Sequence, residues 1–364
     1  MSGPTTDLLK SALSALHYSG AGAMLAPWTR GLGAVLMLHQ VNPDPVQAFE
    51  PNSILRITPD FLEATIRSCI EAGFDFVTLD EMRARLVDPT AAANGRRFLS
   101  ITLDDAYRDN LTYAVPVFRR YGVPYTIYAP TDYIDGRGEL WWLALETIIR
   151  NRTSIDVTIG QRRYNLRLTE PALKDRAFAK IYWHLRRLPE AETRNVMRQL
   201  CAANGIDLPG LCAGLIMNWE ELRQVAADPL ATIGAHTRRH MALRHLSDAD
   251  ARDEITGSAA RLEKELGRPC RHFCFPYGDT LAVSPRDVSL CDELGLATAV
   301  TTCKGLIKPA HAQSLTSLPR LSLNGDYQEP HYVRVLLDGA PFAAMDAATG
   351  MRAKLTPARK VAAV

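Results

Sequence analysis

The chain has no long apolar run near its start. The first such stretch, Ala34 to Leu38, is too short for a signal core or a membrane span and fits a β-strand. Strong charge of either sign is also missing: 42 Lys and Arg meet 40 Asp and Glu, so nothing in the balance demands nucleic acid or an acidic partner. The seven cysteines (Cys69, Cys201, Cys212, Cys270, Cys274, Cys291, Cys303) are odd in number and scattered. Cys270 and Cys274 lack a second pair at zinc-ribbon spacing, which favours buried free thiols and a reducing, cytoplasmic setting. No internal repeat or low-complexity tract stands out. Peripheral membrane contact is the one lipid interaction left open, because Leu8, Leu9, Leu13, Leu16 and Met24 fit one helix face; a helix packed on the body of the protein is the plainer expectation.

What is present is alternation. A length of 364 residues suits one α/β barrel with insertions. From about residue 31 to 325, strand-like and helix-like segments follow each other as parallel βα units do. Strands are expected at Ala34–Leu38, Phe74–Leu79, Phe98–Leu103, Pro124–Ala129, Ala231–Ala235, His272–Phe275, Ala297–Thr301 and Pro319–Leu323. Thr58 and Pro59 open a helix in which Phe61, Leu62, Thr65, Ile66, Cys69 and Ile70 recur on one face, and Gly73 ends it; Asp80 is the expected cap of the next. A helix over Asp250–Leu266 turns Ile255, Leu262 and Leu266 to the sheet. Residues 140–220 are too long for one connection and read as an inserted α+β cap facing the substrate, with a hairpin about Gly160 and helix over 171–203. The expected organisation is a helical segment at 1–30, a barrel at 31–325 interrupted by this cap, and, over 326–364, a C-terminal helix and a loose basic tail carrying Arg352, Lys354, Arg359 and Lys360.

Two strand ends carry the chemistry. Phe98–Leu103 stops at Asp104 and Asp105, and Ala231–Ala235 stops at His236-Thr237-Arg238-Arg239-His240. Taken singly, paired aspartates after a strand are ordinary helix caps, and most His-x3-His pairs bind nothing. In a parallel barrel, however, all strand C-termini open on one face. His39 ends the first strand there, and Pro276-Tyr277-Gly278 follows the strand at 272. Carboxylate and imidazole suit a divalent ion such as zinc; three protein ligands leave a position open, and a spare aspartate is free to act as base. That combination reads as metal-assisted hydrolysis.

These residues resemble the polysaccharide deacetylases (carbohydrate esterase family 4, the NodB homology domain). Thr102-Leu103-Asp104-Asp105 is similar to the family's T-F-D-D motif, His236 to His240 matches H-[S/T]-x-x-H, and Pro276-Tyr277-Gly278 matches P-Y-G, in family order. The resemblance implies a distorted (β/α)7 barrel, Asp104 as general base, and Asp105, His236 and His240 as metal ligands. It also implies that the Tyr277 backbone N–H stabilises the oxyanion, with Pro276 and Tyr277 at the substrate. The implied metal is zinc, with nickel, cobalt or iron(II) as alternatives.

Three departures stand out. Ala106 replaces the glycine after the aspartates. Cys274 stands where the family's R-x-P-Y-G motif has the arginine that partners the catalytic aspartate; Arg320, on the last strand, is an alternative source of that charge, weighed equally against a surface arginine. The late L-x-H motif has no clear match, and His311 and His331 lie in poor contexts. Met37-Leu38-His39-Gln40 resembles the M-Y-H segment of the poly-N-acetylglucosamine deacetylase branch, in which the first strand supplies the active-site histidine and P-Y-G lacks its arginine. His39 is therefore the expected general acid. Trp141, Trp142 and Trp219 flank the insertion, and Trp142 is the candidate for stacking on a sugar. The reading is a metal-dependent N-deacetylase of an amino sugar in an oligosaccharide, polysaccharide or lipid-linked glycan. Its rivals are an amidohydrolase of the same fold on a small amide or imide, a noncatalytic glycan-binding relative, and a glycosyltransferase, the last disfavoured because Asp104-Asp105 lacks D-x-D spacing and the histidine pair has no place in it.

Overall fold

A computed structural model of the chain describes residues 4–88 and 95–355. Seven parallel strands form its centre: β1 (Gly33–Leu38), β2 (Phe98–Leu103), β3 (Tyr125–Ala129), β4 (Ala231–Ala235), β5 (His272–Cys274), β6 (Thr298–Lys304) and β7 (Leu318–Ser322). Each pairs with the next, and β1 pairs with both β2 and β7, so the sheet closes on itself as the expected seven-stranded barrel. Every residue of β1, β2 and β3 is buried, as strands enclosed on both faces must be, which is why they read as continuous apolar runs. The ring is distorted on one side. β1 and β2 run in register from Gly33↔Phe98 to Leu38↔Leu103, whereas β4 and β5 share one register pair, Phe273↔Ala235, and β6 shifts against β7 between Val300 and Lys304.

Several local expectations need correction. The strand placed at Phe74–Leu79 shrinks to Asp75–Phe76, paired to the first residues of β2 and outside the ring. Thr78, not Asp80, caps the following helix, Leu79–Val87, by accepting the Glu81 N–H at 3.1 Å; a threonine oxygen reaches the third amide as well as an aspartate does, and Asp80 falls in the first turn. The helix Pro59–Glu71 begins as expected, with Thr58 accepting from the Phe61 N–H at 3.2 Å, but Ile70 is exposed rather than on the buried face. Six cysteines are buried and free, while Cys303 is exposed.

Residues 140–220 hold the helices Trp141–Arg150, Pro171–Leu185, Glu190–Ala203 and Leu208–Leu215, and a hairpin, Ser154–Ile159 with Arg162–Arg167. Ile155, Val157 and Ile159 alternate with exposed residues. The expected continuous helix over 171–203 breaks before Glu190, where Pro189 cannot continue it. A capping box between Asn218 and Glu221 then starts the helix Trp219–Ala226, which returns the chain to β4.

At the N-terminal side, helices Pro4–Tyr18 and Ala21–Thr29 pack on the helix Pro330–Asp338. Leu13 is buried there and Leu16 packs beside it, but Leu8, Leu9 and Met24 are exposed, so the five do not share one face. No helix among the described residues is long and apolar enough to cross a membrane. Helix Ala340–Leu355 extends the C-terminal side; Arg359 and Lys360 of the expected tail lie outside the described residues.

Gly33 starts β1 opposite Phe98, the first residue of β2. A Cβ there would press against the Phe98 carbonyl oxygen and ring. Gly33→Ala is expected to cost about 1–3 kcal/mol through overpacking, read as a lower urea midpoint at unchanged slope; an unchanged midpoint would show that the seam can yield.

Candidate active site

The C-terminal ends of the strands open on a cleft of about 470 Å³. His39 follows β1, Asp104 and Asp105 follow β2, His236 and His240 follow β4, and Tyr277 lies in the turn after β5; all of them line it. Pro276 is buried and does not line the cleft; its fixed φ belongs to the turn beneath the surface.

The backbone there is bent out of the ordinary regions. Among the described residues, the non-glycine positions with positive φ are Asp105, Ala106, Thr237, His240 and Tyr277. All five belong to the three motifs or adjoin them. Such positions cost about 1–3 kcal/mol each and persist only where the surroundings over-determine them. The surroundings do so. The buried Glu254 accepts the Arg238 and Arg239 N–H groups, each at 2.9 Å, and Thr237 Oγ1 accepts the His240 N–H at 2.9 Å. Arg194 donates to the His240 carbonyl at 3.1 Å. Thr302 fixes the third motif, its Oγ1 donating to the Tyr277 carbonyl at 2.7 Å and its N–H to the Gly278 carbonyl at 3.0 Å. The Tyr277 N–H donates to no acceptor among the described residues.

Asp105 Oδ1 lies 3.5 Å from His236 Nε2 and 3.3 Å from His240 Nε2. His236 Nδ1 faces the Cys274 carbonyl at 2.7 Å; since a carbonyl only accepts, Nδ1 carries the proton and Nε2 keeps its lone pair. Burial lowers the imidazole pKa of His236 to about 4 and that of His240 well below its usual value, so both are neutral ligands at neutral pH. Burial, and next the charge of Asp104, push the Asp105 carboxyl well above its ordinary range, and its buried Oδ1 has no hydrogen-bond partner among the described residues. A divalent cation would reverse that penalty. Ligand atoms about 2.0–2.2 Å from a tetrahedral zinc stand about 3.3–3.6 Å apart, the spacing of these contacts. The three residues therefore fit such an ion. Asp104, His236 and Cys274 also approach one another, but Asp104 is already engaged and burial holds the Cys274 thiol protonated.

Asp104 is engaged by Arg320. The guanidinium meets both carboxylate oxygens, Nη1 to Oδ1 at 2.8 Å and Nη2 to Oδ2 at 2.7 Å. It also donates to the Thr301 carbonyl at 2.8 Å, to Thr102 Oγ1 at 3.1 Å and to Cys274 Sγ at 3.2 Å. Arg320 is buried, not a surface residue. Burial alone would raise the Asp104 pKa, but the Arg320 charge and hydrogen bonds outweigh it and hold the carboxyl well below the usual range. His39 Nε2 sits 3.8 Å from Asp104 Oδ2, and Asn110 anchors its carbonyl at 2.8 Å. His311 caps a surface turn by accepting the Lys308 N–H, and His331 contacts Ser14 and His17; neither lines the cleft.

The polysaccharide deacetylase family model matches residues 91–297. The chain belongs to the polysaccharide deacetylase family. Its activity is carbohydrate N-deacetylation, a hydrolysis of carbon–nitrogen bonds. A comparison with curated proteins finds no match. Among solved structures, the Streptococcus pyogenes deacetylase PplD in complex with acetate is 15% identical, with a TM-score of 0.53 over 83% of this chain and 96% of that one. The de-N-acetylase from Aggregatibacter actinomycetemcomitans is 12% identical, at 0.52 over 83% and 98%. IcaB from Ammonifex degensii is 15% identical, at 0.51 over 83% and 97%. At these identities the likeness is one of fold.

The inserted segment forms one wall of the deacetylase's cleft. Trp142 lines it, 5.2 Å from the His240 ring. Trp141 is buried behind, its Nε1 donating to the Tyr277 hydroxyl at 2.9 Å, and Trp219 bonds Asp135 away from the cleft. Phe178, Tyr182, Trp183 and Arg186 also line the wall and were not anticipated; the Phe178-x3-Tyr182-x3-Arg186 spacing on one helix face is the signal that could have found them. The Arg186 guanidinium stacks 3.9 Å over the Tyr277 ring.

Cys274 and Arg320 meet across the barrel, so the guanidinium could be delivered from either strand. Arg320→Met should cost about 3–5 kcal/mol, because a buried aspartate loses its partner. Arg320→Ser combined with Cys274→Arg should recover part of both stability and turnover. Thermal denaturation and acetate release measure the two; a double variant no better than Arg320→Ser alone would mean that the strand of origin matters as well as the charge.

Proposed function

We propose that this deacetylase is divalent-metal dependent, with zinc as the resident ion, and removes the N-acetyl group of an amino sugar in an oligosaccharide, polysaccharide or lipid-linked glycan. The observation that carries the proposal is the buried Asp105–His236–His240 set beside an aspartate held ionised by Arg320. The first-strand histidine, and a P-Y-G turn whose arginine comes from elsewhere, support the poly-N-acetylglucosamine branch in particular.

When bound, the ion supplies Lewis acidity toward water and the amide carbonyl. The protein's own groups do the rest. Asp104 takes the proton from the attacking water; its pairing with Arg320 keeps it ionised at the expense of basicity. As the water oxygen joins the carbonyl carbon, the unpartnered Tyr277 N–H is a fixed donor for the charge growing on the carbonyl oxygen. Breakage of the C–N bond frees acetate and an amine that needs a proton. His39 is the donor. Burial lowers its pKa and Asp104, 3.8 Å away, opposes that; the imidazolium is the donating form, and the proton gathered by Asp104 restores it after the amine leaves. Trp142 and the Tyr277 turn hold the sugar ring against this group.

Elemental analysis of purified protein should find about one equivalent of divalent metal. His236→Ala should lose most of it, whereas Asp104→Asn should keep it and lose nearly all acetate release from N-acetylglucosamine oligomers. Metal retained in full by His236→Ala would remove the ligand assignment, and substantial turnover by Asp104→Asn would move the base elsewhere.

His39→Ala should keep fold and metal but lose about 10²–10⁴ in kcat, together with the alkaline limb of the pH–rate profile. Persistence of that limb in the variant would place the acid on another residue.

A further inference from the structure

The insertion is where the chain's charge collects. Residues 150–200 hold twelve Arg and Lys against five Asp and Glu, although the whole chain carries only +2, so the remainder is net negative. Part of the excess is neutralised: Arg163 pairs with Asp156, Arg186 with Asp279, and Arg194 with Glu190. Arg162, Lys180 and Arg187 have no carboxylate partner among the described residues.

Those three unpaired cations line one open trough, and no acidic residue lines it. Lys180, His184 and Arg187 recur at helical spacing on or just beyond the helix Pro171–Leu185, and so share a face. Arg162 and Tyr164 alternate on the hairpin strand and face the same way. The buried Tyr164 ring is the floor between them. Arg162 lies 5.2 Å and Lys180 5.5 Å from its centroid, and its hydroxyl meets His184 Nδ1 at 2.8 Å. Trp183 lines both this trough and the catalytic cleft. The helix thus turns Tyr182 and Arg186 toward the cleft and Lys180 and Arg187 toward the trough, with an exposed tryptophan on the ridge.

We propose that this trough is an anion subsite of the deacetylase, which takes a carboxylate- or phosphate-bearing unit of the glycan next to the N-acetylated sugar held in the cleft. This rests on the deacetylase reading and adds the substrate class: a glycan with an acidic unit beside the N-acetylated sugar, unlike the neutral polymer for which the poly-N-acetylglucosamine branch is named. Like-charged side chains gathered without counter-ions repel one another, and an anionic ligand relieves that repulsion. Trp183 offers the apolar sugar face between the two sites a ring to stack on.

The test uses the full chain and three probes of matched length. One alternates N-acetylglucosamine with glucuronate, one is an N-acetylglucosamine oligomer ending in a diphosphate, and one is the neutral N-acetylglucosamine oligomer. Calorimetric affinities are compared between the native protein and R162A/K180A/R187A, whose three sites are exposed. The variant should bind at least one anionic probe about tenfold more weakly, at about half a kcal/mol for each exposed charge, and the neutral probe equally well. The probe that loses affinity identifies the anion. In the native protein, affinity for that probe should fall with added salt while neutral binding does not, a readout that needs no variant. Equal loss for all three probes, or none, together with salt-independent binding, would overturn the subsite. Acetate release is followed in parallel: if the native protein deacetylates none of the probes, the deacetylase reading fails, and the binding data still judge the trough.

Discussion

Everything at the mouth of this barrel depends on the ion pair between Arg320 and Asp104. Two adjacent aspartates, Asp104 and Asp105, are withdrawn from water at the end of one strand, a placement that only compensating charge can sustain. Arg320 neutralises the first with a bidentate fork and spends its remaining donors on Thr301, Thr102 and Cys274. Its contacts therefore bind β7 to β2, β5 and β6 through the barrel interior. The second carboxylate faces two neutral imidazoles, its buried Oδ1 has no hydrogen-bond partner among the described residues, and the imbalance that remains is one a bound cation would relieve.

The backbone follows the same division of labour. The strands are regular and apolar, and departures from ordinary φ gather at their ends, at Asp105, Ala106, Thr237, His240 and Tyr277. Ala106 adopts the left-handed conformation that a glycine would accept without strain. Polar anchors from neighbouring elements, Glu254, Arg194 and Thr302, hold these bends and so aim the side chains. Rigid support of this kind lets a site built on turns keep its geometry.

The part of this design legible in sequence was the part encoded locally. Asp104-Asp105, His236-x3-His240 and Pro276-Tyr277-Gly278 are contiguous, each terminates an apolar run, and barrel topology alone puts them together. Arg320 was balanced between two readings because Leu318-Pro319-Arg320-Leu321 gives no sign of which way the guanidinium points; only the closed ring turns it inward. Glu254 and Arg186 are hidden for a similar reason, since each acts through space on a turn outside its own helix, Glu254 on Arg238 and Arg239 and Arg186 on Tyr277. The over-long strand at Phe74–Leu79 was an apolar run with a single neighbour to pair with, and propensity cannot count neighbours. Pro276 was assigned to the substrate by motif, whereas its work is to shape the turn that presents Tyr277.

The region matching the family model, residues 91–297, includes Asp105, His236 and His240 but neither β1 nor β7. Those two strands are neighbours in the ring and contribute His39 and Arg320. During synthesis the acidic pair leaves the ribosome more than two hundred residues before the guanidinium that steadies it. A growing chain can assemble most of the wall, yet its acidic centre stays without its buried counter-charge until the final strand docks against the first. A chain stopped short of residue 320 therefore lacks at once the strand that closes the ring and the partner that holds Asp104 ionised.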